Sequence, residues 1–205
     1  MNAATTASLK RRVFCRSPIE AVSEMGWRDV EYRLEETLNP AFESVVGAIK
    51  ATHVNGGVLL RCFRPTTTAF DHAFRDDLQG QRHLLRAFLE SESLLHLVPE
   101  LEVSNPIEPL PEFTTYDSYE FEGAITSLLL SSGAYIDSKI EPNNARVMAA
   151  AFVDEMLAET RDVAAVYRIT GAWAGWFYDV AWDRTFAVLD PTARKWWLLC
   201  VTDTD

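Results

Sequence analysis

The chain has 205 residues, of which 48% are apolar and 24% are charged, and these fractions are typical of a folded protein rather than a disordered one. This length is sufficient to bury a core without disulfides or metals. No segment approaches the roughly 18 consecutive apolar residues of a membrane-spanning helix. Composition therefore predicts a globular protein and argues against a membrane protein.

The net charge of −11 is concentrated in the second half of the chain. Residues 1–100 contain twelve Lys or Arg and thirteen Asp or Glu, whereas residues 101–205 contain seven and seventeen. Such a field repels phosphate backbones and anionic lipid heads and attracts basic proteins. We therefore expect a basic protein partner, and neither nucleic acid nor a membrane. The alternative is that the acidity only confers solubility.

The cysteines and the N-terminus indicate a reducing compartment. Cys15, Cys62 and Cys200 are odd in number, widely spaced and without a CxxC pattern, which favours neither a disulfide framework nor a zinc site. The polar N-terminal arm, residues 1–16, has no apolar stretch behind its basic cluster, so a secretory signal is disfavoured and a transit-type leader is the alternative. We expect a cytoplasmic protein with no cofactor and no metal.

Helix signals dominate the first half of the chain. Residues Ser17 to Gly26 begin with an N-cap serine and a proline at the first helical position, which indicates a short helix. Residues 29–38 are rich in helix formers and predict a second helix. Asn39-Pro40 then ends that helix and caps the next, along which apolar residues recur at helical spacing from Phe42 to Ile49.

The next segments predict one strand and further helices. Asn55-Gly56-Gly57 is a turn sequence, and the apolar run from Val58 to Phe63 is too short for a helix, so we predict a buried strand. Helix formers return between residues 68 and 98. Four prolines between residues 99 and 113 then indicate an extended connector, which would be the seam if the chain has two lobes.

The second half changes from helices to strands. Asp117 to Glu120 forms a capping-box pattern that predicts a helix ending near Ser131, and Pro142 opens another helix that reaches about Glu159. Four strands follow, at residues 163–169, 176–182, 185–189 and 196–202. Their links are too short for crossovers, so the strands are antiparallel. The sequence predicts a single α+β domain over residues 1–205, with a mostly helical N-terminal part packed on a C-terminal antiparallel β-meander.

Five of the six tryptophans lie after Gly171, which indicates a core or a recognition surface. In residues 176–182, alternation predicts that Trp176, Tyr178, Val180 and Trp182 share the core face. Residues 196–201 are apolar on both faces, which is typical of a central strand. We expect most of these tryptophans to be core residues. Trp173 and Trp176, beside Gly171 and Gly175, are the best candidates for a binding surface.

Aspartates interleave with these aromatic residues. Asp183 and Asp190 occupy turn-like positions, Asp179 would point from the middle of a strand, and Asp203 and Asp205 lie at a terminus that can fray. Their spacing does not define a metal site. The predicted partner-binding residues are Trp173, Trp176, Tyr178, Asp179, Asp183 and Asp190.

No set of residues defines a catalytic centre. The four histidines, at positions 53, 72, 83 and 96, have no metal-binding spacing. Asp71-His72 could assemble with Cys62 or Ser91, but a solvated charged helix explains the same residues. The glycines at 56 and 57 precede a strand, whereas phosphate-binding loops follow one. We predict no catalytic residue.

Two functions remain open from the sequence. The first is a non-enzymatic acidic module that binds a basic protein, as an inhibitor or immunity-type protein that neutralises an enzyme or toxin. In size and composition the chain resembles the immunity proteins of bacterial toxins, although no motif carries that resemblance. The alternative is a small hydrolytic enzyme that uses Asp and His groups in a cleft between helices and sheet. The oligomeric state is left open.

Overall fold

The computed structural model describes residues 30–66, 81–109 and 111–205. In these ranges the chain forms an α+β fold, as predicted, from six strands, five α-helices and two short 3-10 helices. The predicted helix at Ser17 to Gly26 and residues 68–80 lie outside these ranges. The elements, in chain order, are β1 (Tyr32–Glu35), α1 (Pro40–Thr52), β2 (Gly57–Pro65), α2 (Gln81–Leu89), α3 (Glu92–Leu97), a 3-10 helix (Pro99–Leu101), β3 (Phe113–Tyr116), α4 (Ser118–Leu130), α5 (Pro142–Leu157), a second 3-10 helix (Ala158–Thr160), β4 (Ala165–Ile169), β5 (Arg184–Asp190) and β6 (Lys195–Thr202).

The six strands form one sheet in the order β1-β2-β6-β5-β4-β3, and every neighbouring pair is antiparallel. Strands β4, β5 and β6 follow one another in the chain and in the sheet, which confirms the predicted C-terminal meander. Strands from both sides of the connector at residues 99–113 pair in this sheet. None of the helices in the described ranges has the length and apolar character that crossing a bilayer requires.

Strand β6 lies inside the sheet and is apolar on both sides, as its sequence predicts. Trp196 belongs to the core on one side, together with α2, α3 and the loop between β4 and β5. Trp197 belongs to the core on the other side, together with α1, α4 and α5. We call these sides the first face and the second face. Trp196 stacks on Phe88 with ring centroids 4.3 Å apart, and Trp197 contacts Phe42 at 5.1 Å.

The N-terminal caps that the sequence predicts for α1 and α4 are present. The side chain of Asn39 accepts a hydrogen bond from the backbone N–H of Ala41, and Pro40 occupies the first turn of α1. Asp117 caps α4 in a complete capping box, in which the Glu120 side chain accepts from the Asp117 N–H. These caps satisfy amide groups that have no partner inside the helix, so they set where α1 and α4 begin.

Three segments differ from the prediction. The described part of the predicted helix at residues 29–38 is not helical, because residues 32–35 pair with β2 as an edge strand and pairing outweighs a weak helix propensity. Residues 176–182 do not form a strand, because the N–H groups of Gly175 and Trp176 bond to carbonyls of Glu102 and Leu101 outside the sheet. Strand β3, at Phe113–Tyr116, was not expected within or after the proline-rich connector.

The side chain of Asp203 links three segments of the chain by hydrogen bonds, so this residue does not lie in a frayed terminus. Its side chain is fully buried and accepts hydrogen bonds from the backbone N–H groups of Asn55, at 2.9 Å, and Ala134, at 2.7 Å. The prediction that it lies in a loose terminus is wrong, because these amides need a buried acceptor. The segments approach so closely that a β-carbon at Gly133 would lie 2.1 Å from the carbonyl oxygen of Thr52.

We predict that Gly133→Ala lowers the free energy of unfolding by about 2 kcal/mol, because the added methyl forces apart the backbone segments around Asp203. Gly123→Ala is the matched control, since nothing lies within 4 Å of its β-carbon position in α4. The control should be neutral or more stable by up to about 1 kcal/mol. Urea unfolding of both variants measures the difference, and equal stability would contradict the close packing at Gly133.

An ion-pair network joins β1 to the interior of the sheet. The Glu35 carboxylate accepts from the guanidinium of Arg64 on β2 and lies 3.2 Å from Nζ of Lys195 on β6. The hydrogen bond from Arg64 is the main reason that the pKa of Glu35 lies below its ordinary value. A lowered carboxyl pKa contributes stability above the pKa of the unfolded chain, and that contribution is lost as the pH falls through the folded value.

We predict that Glu35→Gln destabilises the protein by about 1 kcal/mol at pH 7, since it removes the charged partner of Arg64 and Lys195. The difference from wild type should begin to shrink as the pH falls below about 4.5, where the carboxylate of the unfolded chain becomes protonated, and it should vanish once the pH passes below the lower pKa of the folded carboxyl. Urea unfolding across this pH range measures it, with Glu36→Gln at an exposed neighbouring position as the control. A difference that does not vary with pH would contradict the network.

Candidate functional site

The loop between β4 and β5, residues 170–183, is anchored by two buried aromatic side chains. Trp173 is 5% exposed and donates from Nε1 to Oγ1 of Thr185 on β5 at 3.0 Å. Its ring lies 5.8 Å from that of Phe177, which is also buried on the first face. Trp173 is therefore an anchor of the loop and not the surface residue that its position beside Gly171 predicts.

Trp176, Tyr178 and Trp182 are the aromatic residues of the loop that are not fully buried, and Trp182, like Trp176, is partly buried. Trp176 is partly buried, packs edge-on to Phe177 with centroids 5.1 Å apart, and lies against the backbone of Gly57. The Tyr178 side chain is 56% exposed. The predicted core face of residues 176–182 is wrong, because these residues form turns in which Phe177, and not its neighbours, points into the core.

Two of the three predicted aspartates are structural. Asp183 is 5% exposed and accepts from Oγ1 of Thr202 at 2.6 Å and from the N–H of Val180 at 3.1 Å. Asp190 is 1% exposed and accepts from Oγ1 of Thr160 and from the N–H of Ala193. Their carboxylates satisfy donors of the chain itself, as Asp at turns commonly does.

Asp179 is the aspartate of the predicted set that reaches the surface. It lies in a turn rather than in the middle of a strand, with a backbone φ of 59°. This left-handed conformation is uncommon for residues other than glycine, although Asp tolerates it better than most. The turn places its exposed carboxylate beside Tyr178.

The segment between Pro99 and Glu112 runs along this loop. The N–H of Gly175 bonds to the carbonyl of Glu102 at 3.1 Å, and the N–H of Thr170 bonds to the carbonyl of Glu112 at 3.2 Å. Residues 99–112 include four glutamates, residues 170–183 include two aspartates, and neither segment contains Lys or Arg. We call the exposed part of this pair of segments the acidic aromatic surface; it comprises Glu102, Glu112, Trp176, Tyr178 and Asp179.

The sequence pattern does not single out Glu102 and Glu112, because the four prolines of residues 99–113 indicate an extended connector. The signal that could have found them is the run of four glutamates without a basic residue. Their neighbour Glu100 is less available, since its carboxylate pairs with Arg61 at 2.8 Å. Sequence alone does not place the connector beside the aromatic loop, because the contact joins segments about 70 residues apart.

The side chains considered for hydrolysis do not come together in the described ranges. Nδ1 of His53 is 2.9 Å from Oγ1 of Thr52, and burial holds the pKa of this histidine below its ordinary value. His96 is exposed on α3, where Nδ1 lies 2.6 Å from the carbonyl of Glu92. Across those ranges no three His, Cys, Asp or Glu side chains are grouped as a metal ion would require. Asp71 and His72 lie outside the described residues.

The two described cysteines are poor nucleophiles. Cys62 and Cys200 are both buried in the sheet, one on each face. Burial raises the pKa of each thiol to about 12, so both are protonated at neutral pH. This chemistry favours an inert, structural role for both residues in their strands.

Comparisons of the chain with protein-family models, with curated protein sequences and with solved structures returned no match. The functional interpretation therefore depends on the chemistry of the surface residues.

We predict that Asp183→Ala and Asp190→Ala each cost about 1–3 kcal/mol of stability, because each leaves buried donors without an acceptor. Asp162→Ala is the matched control at an exposed position, and Asp179→Asn removes one of the three charges of the acidic aromatic surface. Both should change the free energy of unfolding by less than about 0.5 kcal/mol. Thermal unfolding followed by circular dichroism ranks the four variants; similar values for all of them would show that Asp183 and Asp190 do not stabilise the fold.

Proposed function

We propose that the protein is a non-enzymatic binding module that docks on a basic protein through the acidic aromatic surface, as an inhibitor or immunity-type protein does. One observation carries this proposal. Two segments that contain no Lys or Arg are joined by backbone hydrogen bonds, and they carry three exposed acids, Glu102, Glu112 and Asp179, together with an exposed tyrosine and a partly buried tryptophan.

The surface combines two kinds of attraction. Carboxylates without basic neighbours in their own segments steer a cationic partner and accelerate its association. Tyrosine and tryptophan are the side chains that most often dominate binding energy once a partner excludes water from them. A cationic groove that holds a polyanionic substrate is the type of surface that this combination would cover.

The loop is also organised before any partner binds. Trp173 and Phe177 are buried beneath it, and its backbone bonds to Leu101 and Glu102. A preorganised loop loses less conformational entropy on binding than a free one, so more of the contact energy appears as affinity.

Backbone strain lies at two of the acidic positions. Glu102 has a φ of 52° and Asp179 a φ of 59°, both in the left-handed region. Such conformations cost about 1 kcal/mol or more for residues with a β-carbon and are enriched at functional sites. Glycine would relieve the strain, so the presence of acids at both positions supports a use for their carboxylates.

The test compares two triple variants that remove the same charge. Glu102→Gln, Glu112→Gln and Asp179→Asn neutralise the acidic aromatic surface, whereas Glu141→Gln, Glu155→Gln and Glu159→Gln neutralise exposed acids on and beside α5, which covers the other face. Protein captured from native host extract is identified, purified and titrated by calorimetry at low and high salt. We predict at least a tenfold loss of affinity for the surface variant and less than about twofold for the control.

Tyr178→Ala tests the aromatic contact without changing the net charge of the protein. If the tyrosine is an interface anchor, its truncation should weaken binding by about 2 kcal/mol, or roughly thirtyfold in Kd, at both salt concentrations. The proposal fails if the two triple variants lose affinity equally, because net charge alone would then explain the association. It also fails if the captured partner carries an acidic surface.

A further inference from the structure

A groove on the second face contains two arginines side by side. Arg168 on β4 pairs with Phe186 on β5, and Arg184 lies two positions before Phe186 on the same strand. Because side chains alternate between the two faces of a sheet, both arginines lie on the same face. They are diagonal neighbours, and in standard antiparallel geometry the Cα atoms of such neighbours are about 7–8 Å apart. Together with α4 they line a cavity of about 400 Å³.

The hydrogen bonds of the Arg168 guanidinium are incomplete, and Arg184 bonds to backbone carbonyls rather than to a carboxylate. Arg168 donates from Nη1 to the hydroxyl of Tyr116 at 2.8 Å, while its buried Nε has no hydrogen-bond partner among the described residues. Arg184 donates from Nη1 to the carbonyls of Ala181 and Asp183. A buried donor without an acceptor costs about 1–3 kcal/mol, so the position of Arg168 beside the groove reduces the stability of the fold.

Neither arginine is neutralised by a close carboxylate. Five other arginines of the described ranges form ion pairs within 4.0 Å, whereas no carboxylate in those ranges lies so close to Arg168 or Arg184. Burial is the main cause that lowers the pKa of Arg184, and the charge of Arg168 adds to it. In a chain with a net charge of −11, two adjacent cations without such a partner are unexpected.

The remaining walls define what could enter. Ser127 and Ser131 line the groove from α4, and Leu128 and Phe186 contribute apolar atoms. Two negative charges face the arginines. Glu120 is one, and its carboxylate already accepts from the N–H of Asp117; Asp183 is the other, and it is buried and accepts from Thr202.

We propose that this groove binds a small organic carboxylate, whose carboxylate group accepts hydrogen bonds from Arg168 and Arg184. A guanidinium and a carboxylate are both planar and pair in a two-point geometry. The nearby charges of Glu120 and Asp183 favour a monoanion over a phosphate dianion. The apolar part of the ligand packs on Leu128 and Phe186, and the hydroxyl groups of α4 lie at the opening. This site is on the opposite face from the acidic aromatic surface and does not depend on it.

The test is a titration of the full-length protein with sodium benzoate, followed by ¹H–¹⁵N NMR of backbone amides and arginine Nε–Hε groups. We expect saturable shifts at Arg168 with a Kd of about 1 mM or tighter. Arg168→Gln and Arg184→Gln should each weaken binding at least tenfold. Arg146→Gln, at an exposed position of α5, removes the same charge elsewhere and should change the Kd by less than about twofold.

Two further measurements test the proposal even if an arginine variant unfolds. Ser127→Trp changes an exposed helix position and fills the groove without altering charge, so it should abolish the shifts while the fold is retained. Inorganic phosphate should bind more weakly than benzoate. Shifts that do not saturate, binding that survives Ser127→Trp, or tighter binding of phosphate would each overturn the proposal.

Discussion

The structure depends on the burial of β6 from both sides. This strand lies between β2 and β5, and its adjacent tryptophans, Trp196 and Trp197, enter opposite cores. Each is among the largest side chains that a protein can bury, and together they require covering layers on both faces of the sheet. The helices α1, α4 and α5 cover one face, and the other face is covered by two short helices and the loop between β4 and β5.

That unequal covering explains where the acidic aromatic surface lies. A long helix buries its face with regular side chains, but a 14-residue loop must be held by individual anchors. Trp173 and Phe177 supply the anchors, and Asp183 satisfies the donors at the end of the loop. The residues between and beside these anchors, Trp176, Tyr178 and Asp179, are left toward solvent. The loop is thus part of the core and part of the surface at once.

Charge is also divided between the two sides of the sheet. Carboxylates gather along the aromatic loop and the neighbouring proline-rich segment, while the groove beside α4 contains Arg168 and Arg184. The carbonyls of Ala181 and Asp183 contact Arg184, so the end of the aromatic loop touches the groove. One short stretch of chain therefore borders both an acidic surface and a groove that contains two arginines.

The sequence alone determined the α+β class, the meander, the start of α1 and α4 and the central position of β6. These features depend on short-range signals: a cap residue beside its amide, apolar spacing along one element, and links too short for a crossover. It also indicated the acidic C-terminal half and the aromatic loop as the region of interest, including Tyr178 and Asp179.

The tertiary structure decided which residues of that region are available. Asp183 and Asp190, like Asp179, lie among the aromatic residues of the C-terminal part of the sequence, yet they are buried because Thr202 and Thr160 donate hydrogen bonds to their carboxylates. Pairing with β2 likewise turned residues 32–35 into a strand despite their helix propensity. Burial and hydrogen-bond satisfaction are set by contacts between distant segments, and a local pattern contains no information about which segments meet.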